Sequence, residues 1–259
     1  MKVVILAGGL GTRISEESHL KPKPMIEIGG KPILWHIMKY YSSFGFNDFI
    51  ICCGYKAYVI KEFFADYFLH TSDVTFDIQN NTMTVHENFS ENWKVTCIDT
   101  GIGTMTGGRL ARVKKYLNNE EFMLTYGDGV SNVDLTKLID CHRTTGMDIT
   151  LTIYQPGSRF GTVEVENNKV TNFHEKILED GGWINGGFMI CKPSVFDFIK
   201  LGDSSIFEKD VLESMVSNGK VGAYQHHGFW QSMDTLREKE YLEKIIENGS
   251  APWMVWEND

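Results

Sequence analysis

Short apolar segments alternate with amphipathic segments along most of the 259-residue chain. Lys2–Ala7, Asp48–Cys53 and Phe122–Tyr126 are too short for helices and lack polar alternation, which is typical of strands buried on both faces. Helical patterns occupy residues 32–45, which open with proline and close with glycine, and about residues 57–69. This order of strands and helices predicts an α/β fold with a mainly parallel central sheet flanked by helices.

Two regions interrupt the alternation of strands and helices. Residues 73–99 alternate apolar and polar positions around an Asn-Asn pair, which predicts an antiparallel hairpin inserted into the core. A second region predicts a small β-rich part with short strands at 150–154, 161–165, 170–173 and 187–191. The tail 251–256 contains two tryptophans, so we expect it to pack on the body or on a second subunit. Without a linker or an internal repeat, residues 1–259 form one predicted domain.

Composition and charge exclude several classes of protein. The chain has 42% hydrophobic and 23% charged residues, close to the globular average, so disorder, collagen and coiled coil are excluded. A net charge of -9 argues against nucleic-acid binding, which needs a basic face. The first apolar run is too short for a signal peptide and none approaches the roughly 20 residues of a membrane span. Five cysteines without a C-x-x-C pair argue against disulfides and zinc. We therefore expect a cytoplasmic protein without a membrane partner.

A glycine-rich segment, residues 7–13, follows the first predicted strand directly. It lacks the Gly-Lys-Ser/Thr ending of a P-loop and the third glycine of the dinucleotide fingerprint. Consecutive glycines still let backbone N–H groups approach phosphate oxygens, and Arg13 can add a charge-assisted fork. The alternative is a tight strand-to-helix turn with a surface arginine. Ten residues later, Pro22 and Pro24 restrict the backbone around Lys23 and so reduce the entropy lost in presenting a lysine.

The compound pattern Gly-Gly-x-Gly-Thr-Arg followed by Pro-Lys-Pro-Met, within residues 8–25, resembles the sugar-phosphate nucleotidyltransferases. These enzymes join a sugar 1-phosphate to a nucleoside triphosphate. The chain is most similar to the cytidylyltransferases of this family that act on glucose 1-phosphate. The segments that carry the resemblance are 6–13, 23–38, 49–55, 106–109, 125–129, 184–188 and 229–235.

The resemblance implies a fold, a reaction and a division of the chain. The fold is the nucleotide-diphospho-sugar transferase fold, with a nucleotide-binding half at 1–130, a sugar-binding half at 131–235, and a C-terminal helix and tail at 236–259. The substrates are CTP and α-D-glucose 1-phosphate, the cofactor is Mg²⁺, and the products are CDP-glucose and pyrophosphate. CDP-glucose of this kind leads to dideoxysugars of bacterial surface polysaccharide, the O-antigen of lipopolysaccharide. Members of the family are homo-oligomers.

Two aspartates are candidate magnesium ligands. Asp128 follows an apolar strand and lies between two glycines, at the sheet edge where open α/β sheets bind ligands. Magnesium favours one or two carboxylates plus substrate phosphates. Asp234 is the second candidate. The alternatives are a turn for Asp128 and a helix N-cap for Asp234, ahead of a helix over 236–248. The resemblance assigns both aspartates to the metal.

The resemblance also implies residue roles. Lys23, Arg13 and Asp128 are the predicted catalytic residues, because phosphoryl-type transfers need positioning and charge neutralisation more than a nucleophilic side chain. The predicted nucleotide-binding residues are Leu6, Ala7, Gly8, Gly9, Gly11, Thr12, Arg13, Lys23, Thr104, Gly108, Arg109 and Asp128. For Arg109 contact with the base and contact with a phosphate both stay open, and a surface arginine is the alternative. The predicted sugar-phosphate-binding residues are Glu175, Lys176, Asn185 and Gly187. Ile177 departs from the family pattern, which commonly has proline there.

Three other functions are alternatives, and the residues present argue against two of them. The same reaction with UTP or dTTP would need no change outside the base contacts. A non-catalytic subunit that senses nucleotide sugars predicts loss of Lys23, Asp128 or Asp234, and all three are present. An NAD-dependent dehydratase or epimerase needs the dinucleotide fingerprint and a Tyr-x-x-x-Lys pair. Tyr40 and Tyr116 are followed four residues later by Phe44 and Glu120, so neither forms that pair.

Overall fold

The computed structural model describes residues 1–156, 162–166, 169–174 and 182–258. The strands are β1 (Lys2–Ala7), β2 (Glu27–Ile28), β3 (Lys31–Pro32), β4 (Asp48–Cys53), β5 (Ser72–Asp77), β6 (Thr82–Asn88), β7 (Lys94–Asp99), β8 (Phe122–Tyr126), β9 (Gly129–Ser131), β10 (Ile149–Tyr154), β11 (Thr162–Glu166), β12 (Lys169–His174), β13 (Ile184–Cys191), β14 (Val221–His226) and β15 (Trp230–Ser232). The α-helices are α1 (Ser15–Ser18), α2 (Ile33–Ser43), α3 (Ala57–His70), α4 (Thr106–Val113), α5 (Leu135–Thr145), α6 (Glu213–Ser217) and α7 (Leu236–Glu247).

A seven-stranded sheet in the order β14-β10-β13-β8-β1-β4-β7 forms the centre of the structure. Strands β8, β4 and β7 join β1 in a parallel block, and β10 and β14 run in the same direction. Strand β13 lies antiparallel between β8 and β10. The predicted α/β fold with a mixed, mainly parallel sheet is therefore confirmed.

Strand β1 lies inside this sheet because its side chains are apolar on both faces. Val3 and Ile5 pack into one core cluster with α2, α5 and the C-terminal tail. Val4 and Leu6 face the opposite way, into a second cluster with α4 and α6. Successive strand residues point to opposite faces, so a continuous apolar run fills both layers. Strands β1, β4 and β8 have the bounds that the apolar runs predict.

The inserted hairpin forms as the two-stranded antiparallel ribbon β5–β6. Val74 lies opposite Val85 and Phe76 lies opposite Met83, so one face of the ribbon is apolar. This face is largely in contact with solvent, since Phe76 is 53% exposed and Met83 is 47% exposed. The prediction of a hairpin throughout 73–99 was wrong for its last part, because β7 joins β4 as an edge strand of the main sheet. An edge strand that is covered on one face shows the same alternation as a hairpin strand.

The tryptophan-rich tail packs on the body of the domain. Trp253 is fully buried, and its Nε1 donates to Nδ1 of His36 in α2 at 3.3 Å. Its ring stacks on Phe229 with centroids 5.4 Å apart, and Trp256 meets Trp35 edge-on at 5.7 Å. Within the described ranges, none of the helices has the length and apolar character needed to cross a bilayer.

Candidate active site

A cavity of about 520 Å³ opens at the carboxyl ends of β1 and β8. It contains the predicted catalytic residues Lys23, Arg13 and Asp128, and Asp234 is in its wall. The predicted nucleotide-binding residues that line it are Leu6, Ala7, Gly8, Gly9, Gly11, Thr12, Arg13, Lys23, Thr104, Arg109 and Asp128. Residues from five segments distant in sequence thus meet at one edge of the sheet, where open α/β sheets bind ligands.

Two glycines shape the loop that follows β1. Gly11 has a φ of +66°, a left-handed conformation that favours glycine, and its carbonyl accepts from Ile14 N and Ser18 Oγ. At Gly8 an added Cβ would lie 2.1 Å from the Arg109 guanidinium, so any larger residue would have to displace that buried, hydrogen-bonded side chain. The next residue, Gly9, has nothing within 4 Å of such a Cβ. The loop therefore packs against Arg109 at Gly8 and is open at Gly9.

Arg109 is buried beneath the glycine-rich loop rather than on the surface. Its Nη1 donates to Thr100 Oγ1 at 2.7 Å, to Gly101 O at 2.8 Å and to Cys53 O at 3.3 Å. Burial lowers the pKa of the guanidinium. These acceptors tie the end of β4 and the loop after β7 to α4. Direct contact of Arg109 with a base or a phosphate stays a prediction.

Lys23 lies between the two candidate metal ligands. Its short 3-10 turn, Lys23–Met25, begins after Pro22, and the side chain is only 11% exposed. The ammonium donates to Asp128 Oδ2 at 2.5 Å and to Asp234 Oδ1 at 2.6 Å. Arg13 Nη2 lies 2.9 Å from the same Asp234 oxygen, and its side chain is largely exposed. Two carboxylates and two cations form one ionic cluster at the cavity wall.

Pairing of two short strands brings the aspartates together. Gly129 of β9 pairs with Ser232 of β15, and Met233 N donates to Asp128 O at 2.8 Å. Burial would raise the pKa of Asp234, but the hydrogen bond and charge of Lys23, with Arg13, hold it below its usual range. Asp234 therefore carries its negative charge at neutral pH.

The N-cap of α7 is Thr235, whose side chain accepts from Glu238 N in a reciprocal capping box. Since Thr235 supplies the cap, the alternative role of Asp234 as that N-cap is excluded. The Asp234 carboxylate remains directed to Lys23. Asp128 is likewise more than a turn residue, because Lys23 contacts its side chain.

Two of the predicted sugar-phosphate residues lie beside the cavity-lining Tyr126. Asn185 donates from Nδ2 to the Tyr126 hydroxyl at 3.2 Å, and its Oδ1 accepts from Gly187 N at 3.0 Å. Gly187 has a φ of +73°, and a Cβ there would lie 3.2 Å from the Tyr126 ring. Glu175 and Lys176, with Ile177, lie outside the described residues.

The chain matches the nucleotidyl transferase family over residues 2–244. It belongs to this family. It is 55% identical to glucose-1-phosphate cytidylyltransferase of Salmonella typhi over 258 residues, which cover 99% of this chain and 100% of that protein. It is 42% identical to a probable glucose-1-phosphate cytidylyltransferase of Bacillus subtilis strain 168, with coverage of 99% and 100%.

A solved structure supports the same fold for this nucleotidyl transferase. The crystal structure of HddC from Yersinia pseudotuberculosis superposes with a TM-score of 0.68 at 26% identity, covering 95% of this chain and 99% of that one. The chain therefore shares its overall fold with that protein.

The two carboxylates of this nucleotidyl transferase fit magnesium, which also takes substrate phosphates as ligands, better than a metal that only protein side chains coordinate. In the described ranges no three His, Cys, Asp or Glu side chains come together as a potential metal cage. Asp128 and Asp234 nevertheless converge on one cation, the Lys23 ammonium. Magnesium usually takes one or two carboxylates and completes its shell with water and substrate phosphates. The two aspartates could hold such an ion, whereas zinc would need more protein ligands.

Some residues of the site have positions that sequence reasoning did not foresee. Gly108 lies outside the cavity wall, and a Cβ there would meet the Asp203 backbone at 2.7 Å. Its role in nucleotide binding stays a prediction, since its contact is with the protein. Tyr126 lines the cavity and donates to Glu208 at 2.6 Å. Tyr126 belongs to segment 125–129, which carries the family resemblance, but no role was predicted for it. Glu208 lies outside every segment that carries the resemblance.

Proposed function

We propose that this nucleotidyl transferase moves the CMP moiety of CTP to α-D-glucose 1-phosphate, giving CDP-glucose and pyrophosphate. The observation that carries the proposal is the cluster of Lys23, Asp128, Asp234 and Arg13 beside a glycine-rich loop. The names of the relatives from Salmonella typhi and Bacillus subtilis support the choice of sugar phosphate and nucleotide. The site contains both the cations that a triphosphate needs and the carboxylates that its metal needs.

The reaction is an in-line displacement in which a phosphate oxygen of glucose 1-phosphate attacks the α-phosphorus of CTP. The bond to pyrophosphate breaks, and no nucleophilic side chain takes part. Lys23 and Arg13 counter the charge of the phosphates, and N–H groups of the loop around Gly9 bind phosphate oxygens. When Mg²⁺ is bound, Asp128 and Asp234 hold it, and it supplies neutralisation of the developing charge.

The remaining site residues follow the two substrates. We assign the nucleotide to residues of the 1–130 half that line the cavity, among them Thr104 and Arg109. We assign the sugar phosphate to the 131–235 half, at Asn185 and Gly187 together with Glu175 and Lys176. The hydrogen bond from Asn185 to the cavity-lining Tyr126 supports this assignment.

Pyrophosphate release with glucose 1-phosphate tests the proposal, with CTP, UTP, dTTP and ATP offered separately, with and without Mg²⁺. Release with CTP alone that EDTA abolishes is the expected result. Asp128→Asn should abolish it, whereas Asp140→Asn, a change at an exposed aspartate of α5, should leave it intact. Release with UTP or dTTP instead would keep the mechanism and reject the choice of base. Silence with all four nucleotides would reject the proposed reaction and favour a different sugar phosphate first and the sensing subunit second.

We also propose that the chain forms a homo-oligomer through the apolar face of the β5–β6 ribbon. An isolated two-stranded ribbon is marginally stable in water, yet this one leaves Phe76 and Met83 about half exposed. Strand β5 packs beside α3, where Phe68 is also 40% exposed. Exposed apolar side chains thus lie on both the ribbon and the neighbouring helix. We take a second copy of the chain as the occupant, since exposed apolar patches mark interaction sites and most soluble oligomers are symmetric homo-oligomers.

Light scattering during size-exclusion chromatography tests this interface. The Phe76→Ser, Met83→Ser double variant should elute as a monomer, whereas the wild type elutes as an oligomer. Thr75→Ser and Thr84→Ser, on the other face of the ribbon, serve as the matched control. A monomeric wild type, or a double variant with unchanged mass, would reject the interface.

A further inference from the structure

Hydrogen bonds join two side chains of the cavity wall to one carboxylate. The Thr106 hydroxyl donates to Glu208 Oε2 at 2.8 Å, and the Tyr126 hydroxyl donates to Glu208 Oε1 at 2.6 Å. Thr106 and Tyr126 both line the cavity, and Glu208 is not in its wall among the described residues. Asn185 extends the chain of bonds, because its Nδ2 donates to the Tyr126 oxygen at 3.2 Å. Glu208 is therefore linked to Asn185 through Tyr126.

The four residues belong to four elements far apart in sequence. Thr106 begins α4, Tyr126 ends β8 and Asn185 is in β13. Glu208 is in a π-helical turn that begins at Phe207, and the Phe207 N–H donates to Thr106 Oγ1 at 2.8 Å. Such turns are rare and often occur at functional sites. The turn therefore contacts the start of α4 with both a backbone donor and a carboxylate.

In each hydrogen bond of this network, the chemistry of the two groups determines which one donates and which one accepts. Among the described residues, Glu208 has no Lys, Arg or His within ion-pair distance, and its carboxylate accepts from the two hydroxyls. Burial raises the pKa of Tyr126 and the Glu208 charge raises it further, so the phenol keeps its proton. The phenol proton points to Glu208, and a lone pair of the same oxygen accepts from Asn185. The Asn185 amide is oriented at its other end by Gly187 N.

We propose that Glu208 is a positioning residue that holds the nucleotide side and the sugar-phosphate side of the cavity in register. It orients Thr106 on the nucleotide side and, through Tyr126, Asn185 on the sugar-phosphate side. The inference rests on the proposed function, which supplies the two ligands. Loss of the carboxylate loosens both sides, whereas loss of one hydroxyl loosens one side only.

Three variants with minimal changes of shape test whether the carboxylate affects both substrates and each hydroxyl only one. Glu208→Gln leaves one acceptor oxygen for two donors and should raise the KM for both CTP and glucose 1-phosphate about 5- to 50-fold. Tyr126→Phe should raise mainly the KM for glucose 1-phosphate, and Thr106→Val mainly the KM for CTP. The Glu208→Gln, Tyr126→Phe double variant should be no worse for glucose 1-phosphate than the poorer single variant. Glu213→Gln, at an exposed glutamate of α6, is the matched control.

Thermal unfolding separates positioning from a structural role. A Glu208→Gln variant with a lower Tm but both KM values unchanged would overturn the proposal, as would additive effects in the double variant. If Glu208→Gln does not fold, unchanged KM values in both Tyr126→Phe and Thr106→Val would overturn it. An inactive wild type would reject the proposed function instead. Calorimetric titration with CTP then decides, since an unchanged Kd in Thr106→Val and Glu208→Gln would overturn the positioning role.

Discussion

Replacing Lys23 with alanine should tighten the binding of a divalent cation to the free protein while it removes turnover. In the structure the Lys23 ammonium donates to Asp128 at 2.5 Å and to Asp234 at 2.6 Å, where a shared metal ion would have to bind. Metal binding to the wild type must break these two charge-assisted hydrogen bonds, each worth about 1.5–3 kcal/mol. The displaced ammonium regains part of this free energy from water. We therefore expect the Kd for the metal to fall about 10- to 100-fold in Lys23→Ala, or about 1.4–2.8 kcal/mol.

Titration with Mn²⁺ in the absence of nucleotide, with the free ion followed by electron paramagnetic resonance, measures this Kd directly. Lys21→Ala is the matched control, because Lys21 is in the same segment but pairs with Glu27 at the surface. Its Kd and turnover should match the wild type, whereas turnover of Lys23→Ala should fall at least about 100-fold. Weaker or unchanged Mn²⁺ binding in Lys23→Ala would refute the reasoning, since the two aspartates would then not form a common metal site.

Three further predictions concern the loop, the core and a helix cap. Gly8→Ala should displace the buried Arg109 guanidinium and lower the Tm by several degrees. Gly9→Ala adds a Cβ with nothing within 4 Å and should leave the Tm unchanged, so equal Tm changes in the two variants would contradict the close contact at Gly8. Burial lowers the pKa of His36 from 6.5 to about 4, so at intermediate pH the unfolded chain binds the proton and the folded chain does not. The free energy of unfolding should therefore fall as the pH drops from about 6.5 to about 4, by about 3 kcal/mol in total. Urea unfolding across this range should show a shallower pH dependence for His36→Gln, and parallel curves would exclude the effect. Thr235→Ala should lose about 1 kcal/mol of unfolding free energy with the α7 cap, and an unchanged urea midpoint would show that the cap does not contribute.

The central strands could be predicted from the sequence because their burial leaves a distinct pattern. Residues of β1, β4 and β8 are apolar at almost every position, as expected of short strands that are buried on both faces. Strand β7 could not be separated from the hairpin, since its polar residues alternate with apolar ones as they do in β5. Alternation reports that one face is covered but not which strand lies beside it.

Lys23 and Asp128 could be predicted from the sequence around them, whereas the hydrogen bonds around Glu208 could not. Lys23 is marked by its flanking prolines, and Asp128 is marked by flanking glycines after a buried strand. Glu208 contacts Tyr126 across 82 residues, and its π-helical turn has no sequence pattern of its own. The burial of the Arg109 guanidinium among backbone carbonyls could not be predicted from the sequence, because it depends on tertiary structure alone.

The burial of Trp253 has a consequence for the synthesis of the chain on the ribosome. Its partner His36 emerges 217 residues earlier, together with the apolar face of α2. The part of α2 that the tail covers, around His36, lacks this partner while 217 residues are added, which takes about 10–40 s at 5–20 residues per second. Uncovered apolar surface is what chaperones bind and what aggregation starts from. The surface of α2 around Trp35 and His36 is therefore accessible to chaperones until the tail has emerged.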